Sequence, residues 1–247
     1  MNPFRYRAVV EADHVIQNPT SPEKLRRVID YLRLKDGDRV VDVGCGKGWL
    51  LRAMAAERRI DAVGLEINPA FAAEARRAAA EASLAGKVAI VETPALDHVV
   101  ADGQFDVALC IGATFALGDF ESAVAWMART VGRAGRIAVG EPYARRLPFP
   151  EAVRARWAEY DRDLAGAAAV IARNGLVLTG LVEASQDDWD HYESQHWRAT
   201  AAWVRANPDD PDVAWLTDKI QADRRDYLNE ERDLFGWAIF IAEKAPS

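Results

Sequence analysis

Apolar and polar positions along this chain of 247 residues change period repeatedly, and each change marks an element. Leu25, Val28, Ile29 and Leu32 fall three and four apart behind Ser21-Pro22, a helix cap followed by a proline suited to the first helical position. That predicts a helix after a mixed segment, residues 1–20, in which Asn18-Pro19 forms a turn. Beyond the Asp36-Gly37-Asp38 turn, short apolar runs predict buried strands at 39–43, 60–66, 88–91, 105–111 and 135–140. Helical spacing separates them at 47–58, in an alanine-rich stretch over 68–84, and at 119–131. From about residue 144 the texture changes: Arg145-Arg146, Pro148 and Pro150 interrupt it. A helix over 151–173, a strand over 176–183, helices over 186–206 and 211–230 and a last strand over 234–242 are expected beyond them.

Strands alternating with helices of ten or more residues mean βαβ units, a parallel sheet and right-handed crossovers. The expected fold is therefore α/β and doubly wound. It has seven mostly parallel strands with helices on both faces, an antiparallel last strand, and a helical cap inserted between strands six and seven. The chain reads as a single domain over 1–247. Residues 1–35 form an N-terminal lid and helix, 36–143 a ligand-binding core, and 144–247 a cap with the closing strands.

Composition narrows the partners. Half the residues are hydrophobic and 28% charged, as in a water-soluble globular domain. The net charge of −7 gives no general attraction for a phosphate backbone, so no nucleic-acid partner is expected. No apolar run reaches the roughly 20 residues a membrane helix needs, and the N-terminus lacks a signal-peptide core. Cytoplasmic location, no membrane partner, and a monomer or homodimer are the expectations. Cys45 and Cys110 read as reduced, buried thiols. The four histidines and their neighbouring acids lack ligand spacing, and Asp106 with Asp119 makes a poor magnesium pair, so no metal is expected.

The candidate chemistry starts at Val40-Val41-Asp42-Val43-Gly44-Cys45-Gly46-Lys47-Gly48, a strand running into a turn of alternate glycines and then a helix. Such a turn holds nucleotide-like ligands, because glycine lets main chain approach the ligand without a Cβ in the way. Asp42 can accept from loop amides or from a cationic ligand group. Glu66, twenty residues after Gly46 at the end of the second strand, is placed to take both ribose hydroxyls. A dinucleotide fingerprint would need glycine at position 49, where Trp49 stands.

With Asp42 and Gly44, Gly46 and Gly48, the chain instead resembles motif I of the Rossmann-like S-adenosylmethionine-dependent methyltransferases. Four further segments resemble a group of bacterial small-molecule methyltransferases: His14–Pro19, Cys110–Thr114, Gly140–Tyr143 and Asp188–Ser194. The resemblance implies S-adenosylmethionine as cofactor and a small-molecule acceptor. It implies that Gly44, Cys45 and Gly46 lie beside the methionine and ribose, and that Glu66 takes the ribose diol. Ile67 would then pack on the adenine, and Cys110, Ile111 and Gly112 would meet the amino-acid part. Thr93, Pro94 and Ala95 follow strand three beside the adenine. Pro94 occupies the place where the family often has an acid, with Thr93 or Asp97 as substitutes. Gly112-Ala113-Thr114 and Phe115 would line the methyl-transfer site. Methyl transfer is an in-line displacement that needs alignment above all, and a general base only for a protonated acceptor. Glu141, Tyr143, His191 and His196 are the candidate proton acceptors. His14, Trp189 and Tyr192 are candidate walls of the acceptor site, and Trp189, Tyr192, Trp197, Ala201 and Val204 share one helical face, read chiefly as packing. Two alternatives stay open: a nicotinamide-dependent oxidoreductase on a similar sheet, which Trp49 opposes, and a non-catalytic binder of the same cofactor.

Overall fold

The computed structural model describes residues 1–84 and 86–245. Helix α1 (Pro3–Val10) opens the chain, with the Asn2 side chain accepting from the Arg5 amide and proline in the first turn. It lies inside the segment expected to be mixed. Only Val9 and Val10 of it are buried, too few apolar positions to show a helical period. Helix α2 (Pro22–Leu32) starts on its Ser21 cap and buries Leu25, Val28, Ile29 and Leu32. Next come β1 (Arg39–Val43), α3 (Trp49–Glu57), β2 (Asp61–Glu66), α4 (Pro69–Glu81), β3 (Val88–Glu92), β4 (Phe105–Ile111), α5 (Phe120–Thr130) and β5 (Val131–Ala144). Single 3-10 turns at Ala95–Asp97 and Thr114–Leu117 follow β3 and β4. The second half holds α6 (Glu151–Arg154), α7 (Leu164–Arg173), β6 (Leu176–Glu183), α8 (Gln186–Ala206), α9 (Val213–Asp226), α10 (Arg232–Leu234) and β7 (Phe235–Lys244).

The helix expected over 151–173 is broken in two. The Ala144 amide donates to the Arg162 carbonyl at 2.8 Å, which pins that residue to the end of β5. Asp163 then caps a new helix by accepting from the Gly166 amide at 2.7 Å. The helix expected over 211–230 similarly ends at Asp226 and passes through a π-type turn, Tyr227–Glu231. Strand β5 begins four residues earlier than expected, because Val131 pairs with Phe105 ahead of a register shift.

The seven strands lie in the order β3-β2-β1-β4-β5-β7-β6, all pairs parallel except those made by β7. The chain moves outward from β1 to β3 and then returns to the other side of β1 with β4. That reversal opens a crevice beyond the carboxyl ends of β1 and β4, where sheets of this kind bind ligands. Each face of the sheet carries its own core. One packs α2 and α3 with Trp189, Tyr227, Trp237, Ile239 and Ile241; the other packs α5 and α7 with Val41, Val43, Val139 and Phe240. Burial of these side chains, at roughly 1.5–3 kcal/mol each, is what fixes the crevice in place.

Helix α8 starts on a reciprocal cap, Ser185 with Asp188, and is 21 residues long. Its buried positions are Trp189, His196, Ala199 and Thr200, whereas Ala201 is exposed. Of the expected packing face, Trp189, Tyr192 and Trp197 do pack on the main core and Val204 on the satellite core, while Ala201 does not; two polar residues, His196 and Thr200, sit in the buried stripe, where hydropathy alone does not place them. The far half of α8 joins α1 and α9 in a satellite core of Val9, Val10 and Leu216 with Trp203 and Val204 against it.

Candidate active site

At the crevice, three glycines of the β1–α3 turn hold left-handed conformations, Gly44 at φ +68°, Gly46 at +54° and Gly48 at +71°. L side chains rarely adopt these angles. A Cβ on Gly44 would collide with Ala113 of the loop after β4, and one on Gly46 would fall 2.6 Å from the Gln17 Oε1. The turn is thus pressed between its neighbours, and only bare backbone fits. The Gly44 and Cys45 amides donate to the Leu65 carbonyl at 2.8 and 3.1 Å, tying the turn to β2.

Glu66 is buried at the end of β2 and spans the gap. Its Oε2 accepts from the Gly46 amide at 2.9 Å and its Oε1 from the Asn68 amide at 2.8 Å. Burial raises its proton affinity against the pull of those two amides. Asp42 lies deeper, at the end of β1; burial, with Glu66 nearby, pushes its carboxyl up to about 7. The two carboxylates make the floor electronegative, a setting for a cationic ligand group. Around this floor the apolar side chains of Ile67 (45% exposed), Leu96 and Phe115 stand open. Pro94 is exposed, Thr93 half-buried and Ala95 buried beside them, and the Thr93 amide donates to the Glu66 carbonyl at 3.2 Å. Cys110, near the end of β4, is fully buried, whereas Cys45, expected to be buried too, is only half-buried because it sits in the glycine turn at the crevice; burial raises both thiols, away from reactivity. Ile111 is half-buried, and Gly112 is exposed, with Asn18 and Trp237 next to it.

The fold therefore gathers Asp42, Gly44, Cys45, Gly46, Glu66, Ile67, Thr93, Pro94, Ala95, Cys110, Ile111 and Gly112 along one edge. The acceptor-side candidates are scattered. Glu141, at the end of β5, accepts from the Thr114 amide at 3.3 Å and from the Thr114 hydroxyl, and burial raises its proton affinity. Tyr143 is held across β7 toward β6: it packs on the Gly236 backbone and donates to Glu183 of β6, and burial and that contact push the phenol up to about 12. His191 stands exposed on α8, one side of the helix away from the buried stripe. Trp189 is buried in the main core.

His14 is buried, with its Nε2 3.0 Å from the Tyr192 carbonyl and its ring 4.7 Å from the Tyr192 ring and 4.5 Å from that of His196. Burial, helped by His196, pulls His14 down to about 4, so it is neutral. His196 moves up instead, because Glu11 and Glu193 outweigh its burial. Lys47, Gln17 and Glu11 also converge here; Lys47 and Gln17 lie inside segments the sequence singles out, but their joint role depends on contacts between residues about 30 to 36 apart in sequence. Among the described residues no cluster of three or more histidine, cysteine, aspartate or glutamate side chains is arranged to hold a metal. No helix among them is long and apolar enough to cross a membrane.

Residues 40–135 match the family model described as a methyltransferase domain. A relative in Escherichia coli (strain K12), the uncharacterized protein YjhP, is 32% identical over 236 residues, covering 94% of this chain and 95% of that one. The crystal structure of an S-adenosylmethionine-dependent methyltransferase from Geobacter sulfurreducens with S-adenosylhomocysteine is similar over 98% of both chains, at a TM-score of 0.89 and 32% identity. The 27-O-demethylrifamycin SV methyltransferase of Amycolatopsis mediterranei is 27% identical over 180 residues, 71% of this chain and 65% of that enzyme.

Proposed function

The chain belongs to the S-adenosylmethionine-dependent methyltransferases, and from that premise we propose that it methylates a small-molecule acceptor bound beside Gly112, beneath the cap helix α8. The observation that carries this reading is the join of the glycine turn to Glu66, a buried carboxylate whose two oxygens already hold loop and helix amides in line. These residues fit the cofactor. The glycine turn brings its main chain to the crevice where the methionine and ribose would lie, Glu66 retains lone pairs for ribose hydroxyls, and Ile67 with Leu96 offers an apolar surface to an adenine. Asp42 supplies negative charge for the ammonium or sulfonium end. When bound, the cofactor supplies an electrophilic methyl group on its sulfonium.

What the chain adds is alignment and dryness. The segment 14–18 lies over the glycine turn, with Gln17 against Gly46 and Asn18 and Trp237 beside Gly112, where it would shield a bound ligand from water. Thr114 engages Oε1 of Glu141, leaving Oε2 to take the proton of an acceptor hydroxyl or amine. The raised proton affinity of Glu141 suits that task. Tyr143 and His191 have no comparable position, and we assign neither to proton transfer. In this reading residues 1–35 serve as lid, 36–143 as cofactor core and 144–247 as the acceptor side of one domain. The rifamycin-modifying relative supports an acceptor that is a small molecule of natural-product size.

A transfer screen with methyl-labelled cofactor over phenols, amines, thiols and carboxylic acids tests the assignment. Label should appear in at least one class. Glu141→Gln should lower kcat on that acceptor about 10²- to 10⁴-fold, the range for loss of a general base, with cofactor affinity unchanged. An unchanged kcat would remove Glu141 from the chemistry.

A further inference from the structure

Residues 11–18 form a strap that crosses the crevice from α1, and it is fastened at both ends by side chains the chemistry does not require. On the glycine turn the fastener is Lys47. The residue is 5% exposed, and its ammonium donates to the Glu11 and Ala12 carbonyls, each at 3.0 Å, with Glu74 at 3.4 Å as its counter-charge. Gln17 completes the join: its Oε1 accepts from the Lys47 amide at 3.0 Å while its Nε2 donates to the His14 carbonyl at 2.8 Å. On the cap helix, His14 meets the Tyr192 carbonyl, and Glu11 lies 3.9 Å from the His196 Nε2.

A lysine ammonium withdrawn from water is costly unless its donors are satisfied, and here two of the three partners are strap carbonyls. The strap therefore supplies much of what keeps Lys47 buried. The same contacts hold it over Gly46, and at Gly112 the Gln17 carbonyl and the Asn18 Cβ lie within 3.9 Å of where a Cβ would stand. Anything seated on the glycine turn enters and leaves beneath residues 14–18.

We propose that Lys47 and Gln17 are positioning residues that lock the strap shut over the cofactor crevice, so that unlocking them gates cofactor exchange. This rests on the cofactor assignment above. Lys47 touches no reacting atom; it acts through the strap it holds.

The test uses the full chain with S-adenosylhomocysteine as probe, in wild type, Lys47→Met, Lys47→Arg and Gln17→Ala. The readouts are the dissociation rate by stopped-flow tryptophan fluorescence and amide hydrogen exchange over residues 11–18. Lys47→Met should speed release about 10- to 100-fold, the worth of hydrogen bonds to a charged group. Exchange in the strap should rise while that in β1 and β4 stays at the wild-type level. Lys47→Arg should recover most of the slow release, and Gln17→Ala should loosen the strap in the same direction. If Lys47→Met does not fold, Gln17→Ala carries the same two readouts. Unchanged release, or faster release with an unmoved strap, overturns the lock. Failure of the wild-type chain to bind the probe would instead overturn the cofactor assignment, and the lock with it.

Discussion

Asp42 shows what burial does to a single carboxylate. With its pKa lifted from 3.8 to about 7 by burial and by Glu66, the folded chain binds a proton there that the unfolded chain gives up. The sign follows from linkage: its stability contribution is whole below about pH 4 and is lost as pH rises through 7, at up to about 1.4 kcal/mol per pH unit. Asp42→Asn should therefore gain stability over wild type in urea unfolding at pH 8 and show little difference at pH 4. An equal gain at both pH values would mean that Asp42 is not protonated in the folded chain. The same proton makes cofactor affinity rise between pH 6 and 8, because a charged Asp42 is the form that meets a cation. Glu66 differs in being wired to backbone: Glu66→Ala strips the Gly46 and Asn68 amides of their acceptor. It should weaken cofactor binding by about 1–3 kcal/mol.

Among the elements, those with self-contained patterns were legible in the sequence. The central strands are apolar runs, and α2, α4 and α5 each start on a polar cap with a period behind it. Helix α1 carries the same Asn-Pro opening as α4 but has no apolar period, because its buried residues, Val9 and Val10, both lie in the last turn and the earlier turns meet α8 and α9 through Arg5 and Tyr6. The break between α6 and α7 depends on a hydrogen bond from β5 to Arg162, which no local pattern records. The glycine turn and Glu66 were legible because their spacing is short and fixed by one βαβ unit. Lys47 was not, since its partners lie about 35 residues away on a strap whose path the sequence leaves open. Helix α8 offers a direct test of cap chemistry. Ser185→Ala removes the acceptor of the Asp188 amide and should cost about 1 kcal/mol of stability by thermal melting. No loss would show that Lys24, which pairs with Asp188, holds that helix end alone.

Across the whole molecule, two apolar cores grip the sheet from either side, and the polar business sits at the edge both leave open. Helices α1, α8 and α9 form a second body around Leu216, cross-linked by Arg5 to Asp210 and Asp212, and the strap joins that body to the sheet. An acceptor beneath α8 and a cofactor on the glycine turn would thus both press on the strap. That arrangement makes cofactor binding the property from which the rest of the account follows. Titration calorimetry of the wild-type chain and of Glu66→Ala with S-adenosylhomocysteine, and of the wild type with NAD, measures it directly. One S-adenosylhomocysteine site per chain is expected, weakened by about 1–3 kcal/mol in Glu66→Ala, with no NAD binding. Tight NAD binding without a response to S-adenosylhomocysteine, or an affinity indifferent to Glu66, would contradict that expectation.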